Sequence, residues 1–93
     1  MNIAIITGAS SGLGKEFALS LDKSRNEIEE IWLIARRRDR LEELAESLSK
    51  KARVLSLDIT DDSALSSLRG LLEAEKPQIK LLINNAGFGR LGY

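Results

Sequence analysis

Short apolar runs alternate with helical stripes along this chain. Residues 3–6 (Ile-Ala-Ile-Ile), 31–35 (Ile-Trp-Leu-Ile-Ala), 53–58 (Arg-Val-Leu-Ser-Leu-Asp) and 80–84 (Lys-Leu-Leu-Ile-Asn) are runs bounded by polar or turn residues. Runs this short, rich in Ile and Leu, predict strands buried on both faces. Between them the apolar period changes. Leu13, Phe17 and Leu21, with Ala18 beside them, form one stripe; Leu41, Leu44, Ala45 and Leu48 form a second; Leu65, Leu68, Leu71 and Leu72 form a third. Each predicts an amphipathic helix, the second with Glu42, Glu43 and Glu46 on its wet side. The polar stretch 22–30 predicts a helix end and a loop. Thr60 predicts an N-cap for the third helix, with Asp61 and Asp62 where the helix dipole favours anions. Pro77 prevents that helix from continuing.

Strand and helix alternate three times and a strand follows. That order predicts an α/β fold with a parallel sheet of four strands. Right-handed crossovers give the strand order 3-2-1-4, with the first two helices on one face and the third on the other. Residues 1–93 read as one domain, with no internal repeat and no linker.

Composition narrows the chemistry. Hydrophobic residues are 43% and charged residues 30%, which is ordinary for a soluble globular chain. Fourteen Lys and Arg balance fourteen Asp and Glu, so no net charge draws the chain to nucleic acid or an acidic membrane. There is no Cys, hence no disulfide, thiolate nucleophile or Cys-ligated metal. There is no His either, which excludes a Ser-His-Asp triad. No apolar run approaches the roughly 18 residues of a membrane helix, and the first residues lack the basic start of a signal peptide. The expected location is the cytoplasm.

Gly8, Gly12 and Gly14 lie between the first strand and the first helix. Glycine accepts positive φ and lets a ligand approach the backbone, and a helix N-terminus offers unpaired N–H groups. Together these make a phosphate cradle. The alternative is a tight connection with glycines for packing alone. A nucleotide P-loop needs Gly, four residues, then Gly-Lys-Ser/Thr. Ala9 stands where its first Gly belongs, and Glu16 where its hydroxyl belongs. The spacing G-x-x-x-G-x-G is instead a variant of the dinucleotide fingerprint G-x-G-x-x-G.

Thr7-Gly8-Ala9-Ser10-Ser11-Gly12-Leu13-Gly14 resembles the cofactor loop of the short-chain dehydrogenase/reductase family. Asn84-Asn85-Ala86-Gly87 resembles the family's second signature and Asp58-Ile59-Thr60 its acidic turn after the third strand. The three occur in order, each at the carboxyl end of a predicted strand, and the resemblance covers essentially the whole chain. It implies a partial Rossmann fold, a dinucleotide cofactor and, in the complete protein, a carbonyl or alcohol substrate. It further implies that Ser10 and Ser11 lie near the adenosine ribose and its phosphate, and that Leu13 offers its N–H to the pyrophosphate. Asp58 would accept from the adenine amino group, Ile59 would pack on the ring, and Asn85, Ala86 and Gly87 would flank the second ribose. Asn84 would tie neighbouring strands. Asp58 also reads as a plain turn residue, and 84–87 as a simple strand-ending turn.

The residue ending the second strand of a dinucleotide fold reads the adenosine ribose: an acid there selects NAD, and a nearby Arg attracts the 2′-phosphate of NADP. Here that end is Ala35-Arg36-Arg37, with no acid in place. Arginine binds phosphate through a planar, permanently charged fork. NADP(H) is therefore expected over NAD(H), with Arg36 the first contact and Arg37 the second. The alternative is a solvated helix start whose arginines pair with Glu42 and Glu43.

The family's chemistry uses Ser, Tyr and a Lys four residues after the Tyr. This chain has one Tyr, the terminal Tyr93, so the catalytic set is missing. The leading expectation is the NADP-binding amino-terminal part of an oxidoreductase that transfers a hydride between NADPH and a carbonyl or alcohol. The other is a naturally short, non-enzymatic nucleotide-binding or interaction module. In either case the fourth strand is left at an open edge, and self-association through it is expected.

Overall fold

The structure is a computed structural model that describes residues 1–24 and 26–85. Its elements are β1 (Asn2–Thr7), α1 (Gly12–Ser24), β2 (Glu30–Ala35), α2 (Arg38–Ser47), β3 (Lys51–Ser56), α3 (Asp62–Glu75) and β4 (Gln78–Asn84). The strands form one sheet in the order β3-β2-β1-β4, and each neighbouring pair is parallel. Thr7 lies in register with Ile34 and with Asn84, so the carboxyl ends of the strands share one rim.

Side-chain alternation along β1 and β2 serves two cores. Ala4, Ile6, Ile31 and Leu33 pack with Ala18 and Leu21 of α1 and Leu41 and Leu44 of α2. Ile3, Ile5, Trp32 and Ile34 form the other core, against Leu68, Leu71 and Leu72 of α3. Both strands are buried along nearly their whole length, as expected of parallel strands covered on both sides.

Four local expectations are corrected. The buried stripe of α1 is Gly14, Ala18 and Leu21, whereas Leu13 is 50% exposed. A strict four-residue repeat drifts by about 40° per step on a 3.6-residue helix, and Leu13 sits in the first turn. The N-cap of α3 is Asp61, whose side chain accepts from the Ser63 N–H. Thr60 instead donates its hydroxyl to Asp58 Oδ1 at 2.6 Å. β3 ends at Ser56, which leaves Leu57 and Asp58 beyond it. Finally, the polar stretch 22–30 is not all loop: α1 runs to Ser24, and Ile28 and Glu30 are buried.

Glu30 begins β2, and its Oε1 accepts from Trp32 Nε1 at 3.0 Å. Lys51 Nζ and Arg53 Nε each lie 3.9 Å from its Oε2. The Arg53 guanidinium also stacks 4.8 Å from the centre of the Trp32 ring and pairs with Glu75 at the end of α3. A buried carboxylate is tolerated because cations surround it. Among the described residues β4 is an edge strand. Its Leu82 is in register with Ile5 yet 59% exposed, and Ile79 is 46% exposed. No helix among the described residues is long and apolar enough to cross a membrane.

Candidate functional site

At the carboxyl rim the chain leaves β1 through Gly8, whose φ of 65° is the left-handed region that glycine accepts freely. The Gly8 carbonyl then accepts from Ser11 N at 3.2 Å, Ser11 Oγ at 2.9 Å and Asn85 Nδ2 at 3.0 Å. Asn85 Nδ2 also donates to Ser11 Oγ at 3.0 Å. The amide of Asn85, at the end of β4, thus draws the turn tight from across the sheet. Thr7 Oγ1 donates to Asn84 Oδ1 at 2.9 Å, which ties the ends of β1 and β4 together. Ala9 N donates to Ile34 O at 3.2 Å and anchors the turn over β2.

Helix α1 starts directly behind this turn. The first α-helical bond is Lys15 N to Ser11 O at 2.9 Å, so the N–H groups of Gly12, Leu13 and Gly14 have no intrahelical partner. A Cβ at Gly14 would collide with Gly8 O and lie 2.9 Å from both Ala9 Cα and Asn85 Nδ2. A Cβ at Gly12 would meet nothing within 4 Å. The three glycines therefore serve three ends: Gly8 the backbone angle, Gly14 close packing, and Gly12 an open approach to the first-turn amides.

A cleft of about 620 Å³ opens on this rim, within the range usual for ligand sites. It gathers Gly8, Ser10, Ser11, Arg36, Arg37, Asp58, Ile59 and Asn85, eight of the residues singled out in the sequence. Gly12, Leu13 and Gly14 are not in its lining; they form the helix start beside it. Ala86 and Gly87 lie outside the described residues, as does Tyr93. Ile34, Ala35, Leu57 and Thr60 also line the cleft. Their signal in the sequence is positional, since each sits at or just past the carboxyl end of a strand. Leu57 N donates to Ala35 O at 3.0 Å and Ser56 Oγ to Arg36 O at 3.1 Å, so the two strand ends continue as joined walls. Asp58 Oδ1 is drawn back by Thr60 N at 3.0 Å.

The arginines are not equivalent. Arg37 pairs with Asp39 at 3.2 Å and Arg38 with Glu42 at 3.6 Å. The hydrogen bond from Arg37 holds the Asp39 carboxyl below its ordinary range. Arg36 has no acidic partner among the described residues and is exposed at the cleft wall. Helix α2 has Arg37 at its N-cap with no side-chain cap, so the helix starts at the cleft wall. Open amides, room beside Gly12 and a cationic wall fit the phosphates of a dinucleotide.

The short chain dehydrogenase family model matches residues 2–92. Sulfoacetaldehyde reductase 2 of Chromohalobacter salexigens is 40% identical over 91 residues, which are 92% of this chain and 34% of that protein. A metagenomic short-chain oxidoreductase solved in complex with NADP superimposes with a TM-score of 0.78 at 27% identity, over 98% of this chain and 41% of that one. A short-chain dehydrogenase from Sphingobium yanoikuyae in complex with NADPH gives a TM-score of 0.75 at 32% identity, over 94% of this chain and 34% of that one. The chain thus spans about a third of the length of the curated relative described here.

Proposed function

The chain belongs to the short-chain dehydrogenase family, and from that premise we propose that it is the amino-terminal, NADP(H)-binding part of a single Rossmann-type domain in an oxidoreductase. The observation that carries the cofactor preference is Arg36, a guanidinium with no acidic partner among the described residues, standing at the cleft wall where an NAD-selective site needs a carboxylate.

In this reading the amides of the first turn of α1 take the diphosphate. Ser10 and Ser11 lie by the adenosine ribose, and Arg36 holds the 2′-phosphate with Arg37 behind it. Asp58 and Ile59 receive the adenine, and Asn85, Ala86 and Gly87 flank the second ribose. When bound, NADPH supplies the hydride for reduction of a carbonyl substrate. These residues bind and orient it.

Titration of the chain with 2′-phospho-ADP-ribose and with ADP-ribose tests this. The phosphorylated ligand is expected to bind more tightly. Arg36→Gln should remove about tenfold or more of that advantage, the usual size of a lost charge-assisted bond. Arg37→Gln should remove less, because Arg37 already engages Asp39. Preference for ADP-ribose by the unaltered chain would refute the assignment.

The self-association expected from the sequence belongs to the same proposal. Among the described residues the edge of β4 is free and Leu82 and Ile79 are exposed, which favours pairing of two copies through their fourth strands. Sedimentation at high micromolar concentration should detect a dimer that Leu82→Lys weakens; a monomer throughout would count against it.

A further inference from the structure

Helix α3 has the thinnest apolar seat of the three helices. Ala64 is its one buried residue, whereas α1 buries three and α2 two. Leu68, Leu71 and Leu72 are only partly buried against the sheet. Its last turn holds Glu75 and no basic residue, although the helix dipole disfavours an acid there. Glu75 is instead held from β3, where Arg53 Nη1 donates to its Oε2. That bond keeps the Glu75 carboxyl below its ordinary range and raises the guanidinium, so both stay charged.

Arg53 faces a second carboxylate as well. It lies in register with Trp32 and stacks 4.8 Å from the ring centre. Its Nε is 3.9 Å from Glu30 Oε2, beyond hydrogen-bond reach. Glu30 Oε1 takes the Trp32 Nε1–H, but Oε2 is buried with no hydrogen-bond partner among the described residues. Lys51 Nζ is equally distant, and its side chain is largely exposed. An unpaired buried carboxylate oxygen is costly, and a shift of Arg53 by about 1 Å would satisfy it.

We propose that Arg53 is a latch with two seats: it holds the end of α3 through Glu75, and it closes onto Glu30 Oε2 when that end lifts from the sheet. The second seat lowers the cost of lifting, so α3 opens as a unit apart from α1 and α2. Asp58, Ile59 and Thr60 of the cleft wall lead straight into α3, so the latch bears on the cleft from the far end of the helix.

Native-state hydrogen exchange of the nitrogen-15-labelled chain tests this. Glu75 is exposed, and thermal melts confirm that Glu75→Gln folds. This variant should speed exchange at Leu71 and Leu72 by about threefold to tenfold. Ala18 in α1 and Leu44 in α2 should change by less than about twofold. Glu73→Gln, which removes the same charge from the same turn, should leave all of them within about twofold. With the first seat gone, the Arg53 Nε–H signal in Glu75→Gln should move downfield and gain protection from solvent as it bonds Glu30. Equal acceleration in all three helices, or equal effects of Glu73→Gln and Glu75→Gln, overturns the proposal. An Arg53 Nε–H signal that neither moves nor gains protection overturns it too, because the second seat is then never taken.

Discussion

Gly12 and Gly14 are two residues apart and do opposite things. Any side chain at Gly14 strikes the Gly8 carbonyl, so Gly14→Ala should destabilise the fold by about 1–3 kcal/mol, the cost of overpacking. At Gly12 there is room. Gly12→Ala should leave the melting temperature nearly unchanged yet weaken ADP-ribose binding, because its methyl enters the approach to the α1 amides. Thermal melts combined with ligand titration separate the two; a Gly12→Ala chain that binds as before would show that the approach runs elsewhere. That this turn needs glycine was legible in the sequence. Which glycine does what was not, because the contact that restricts Gly14 comes partly from Asn85, far along the chain. The arginines teach the same lesson. Their number was visible, but only the pairing of Arg37 with Asp39 and of Arg38 with Glu42, together with the place of Arg36 on the cleft wall, singles out Arg36.

Element ends depend on such remote partners. Asp22, in the last turns of α1, accepts from Ser49 N at 2.8 Å and from Lys50 N at 2.8 Å, and so pins the loop between α2 and β3. Burial by itself would raise its pKa, but the amide hydrogen bonds outweigh that and hold the carboxyl below its ordinary range. A carboxylate whose folded pKa is depressed stabilises the fold fully above its unfolded value of about 3.9, and that contribution is lost as pH falls through the folded value. Asp22→Ala should therefore cost about 1–2 kcal/mol at neutral pH. The gap in melting temperature between the two proteins should narrow below about pH 4, and a gap independent of pH would contradict the charge-based account. Element types were legible throughout from apolar period. Boundaries were not, where a polar residue is recruited from afar: Glu30 joins β2 because Trp32, Lys51 and Arg53 receive its carboxylate. The shift at the end of β3 has a functional side, for it leaves Asp58 past the ladder and on the cleft wall.

At the scale of the molecule, alternation of elements together with crossover handedness was enough to predict the order β3-β2-β1-β4 and the division of helices between faces. Period and handedness are properties of the chain itself. The volume of the rim cleft was not legible, since its walls come from the ends of four strands. The central claim is that the rim at the carboxyl ends of the strands, with the turn between Gly8 and Gly14, receives the diphosphate. Amide chemical shifts of the nitrogen-15-labelled chain, followed during titration with ADP-ribose, test it most directly. Saturable shifts at Gly8, Ser10 to Gly14 and Arg36 are predicted, with Asn2, Glu30, Lys51 and Gln78 at the opposite rim unmoved. Saturable shifts confined to that opposite rim, or none anywhere at millimolar ligand, would contradict the account.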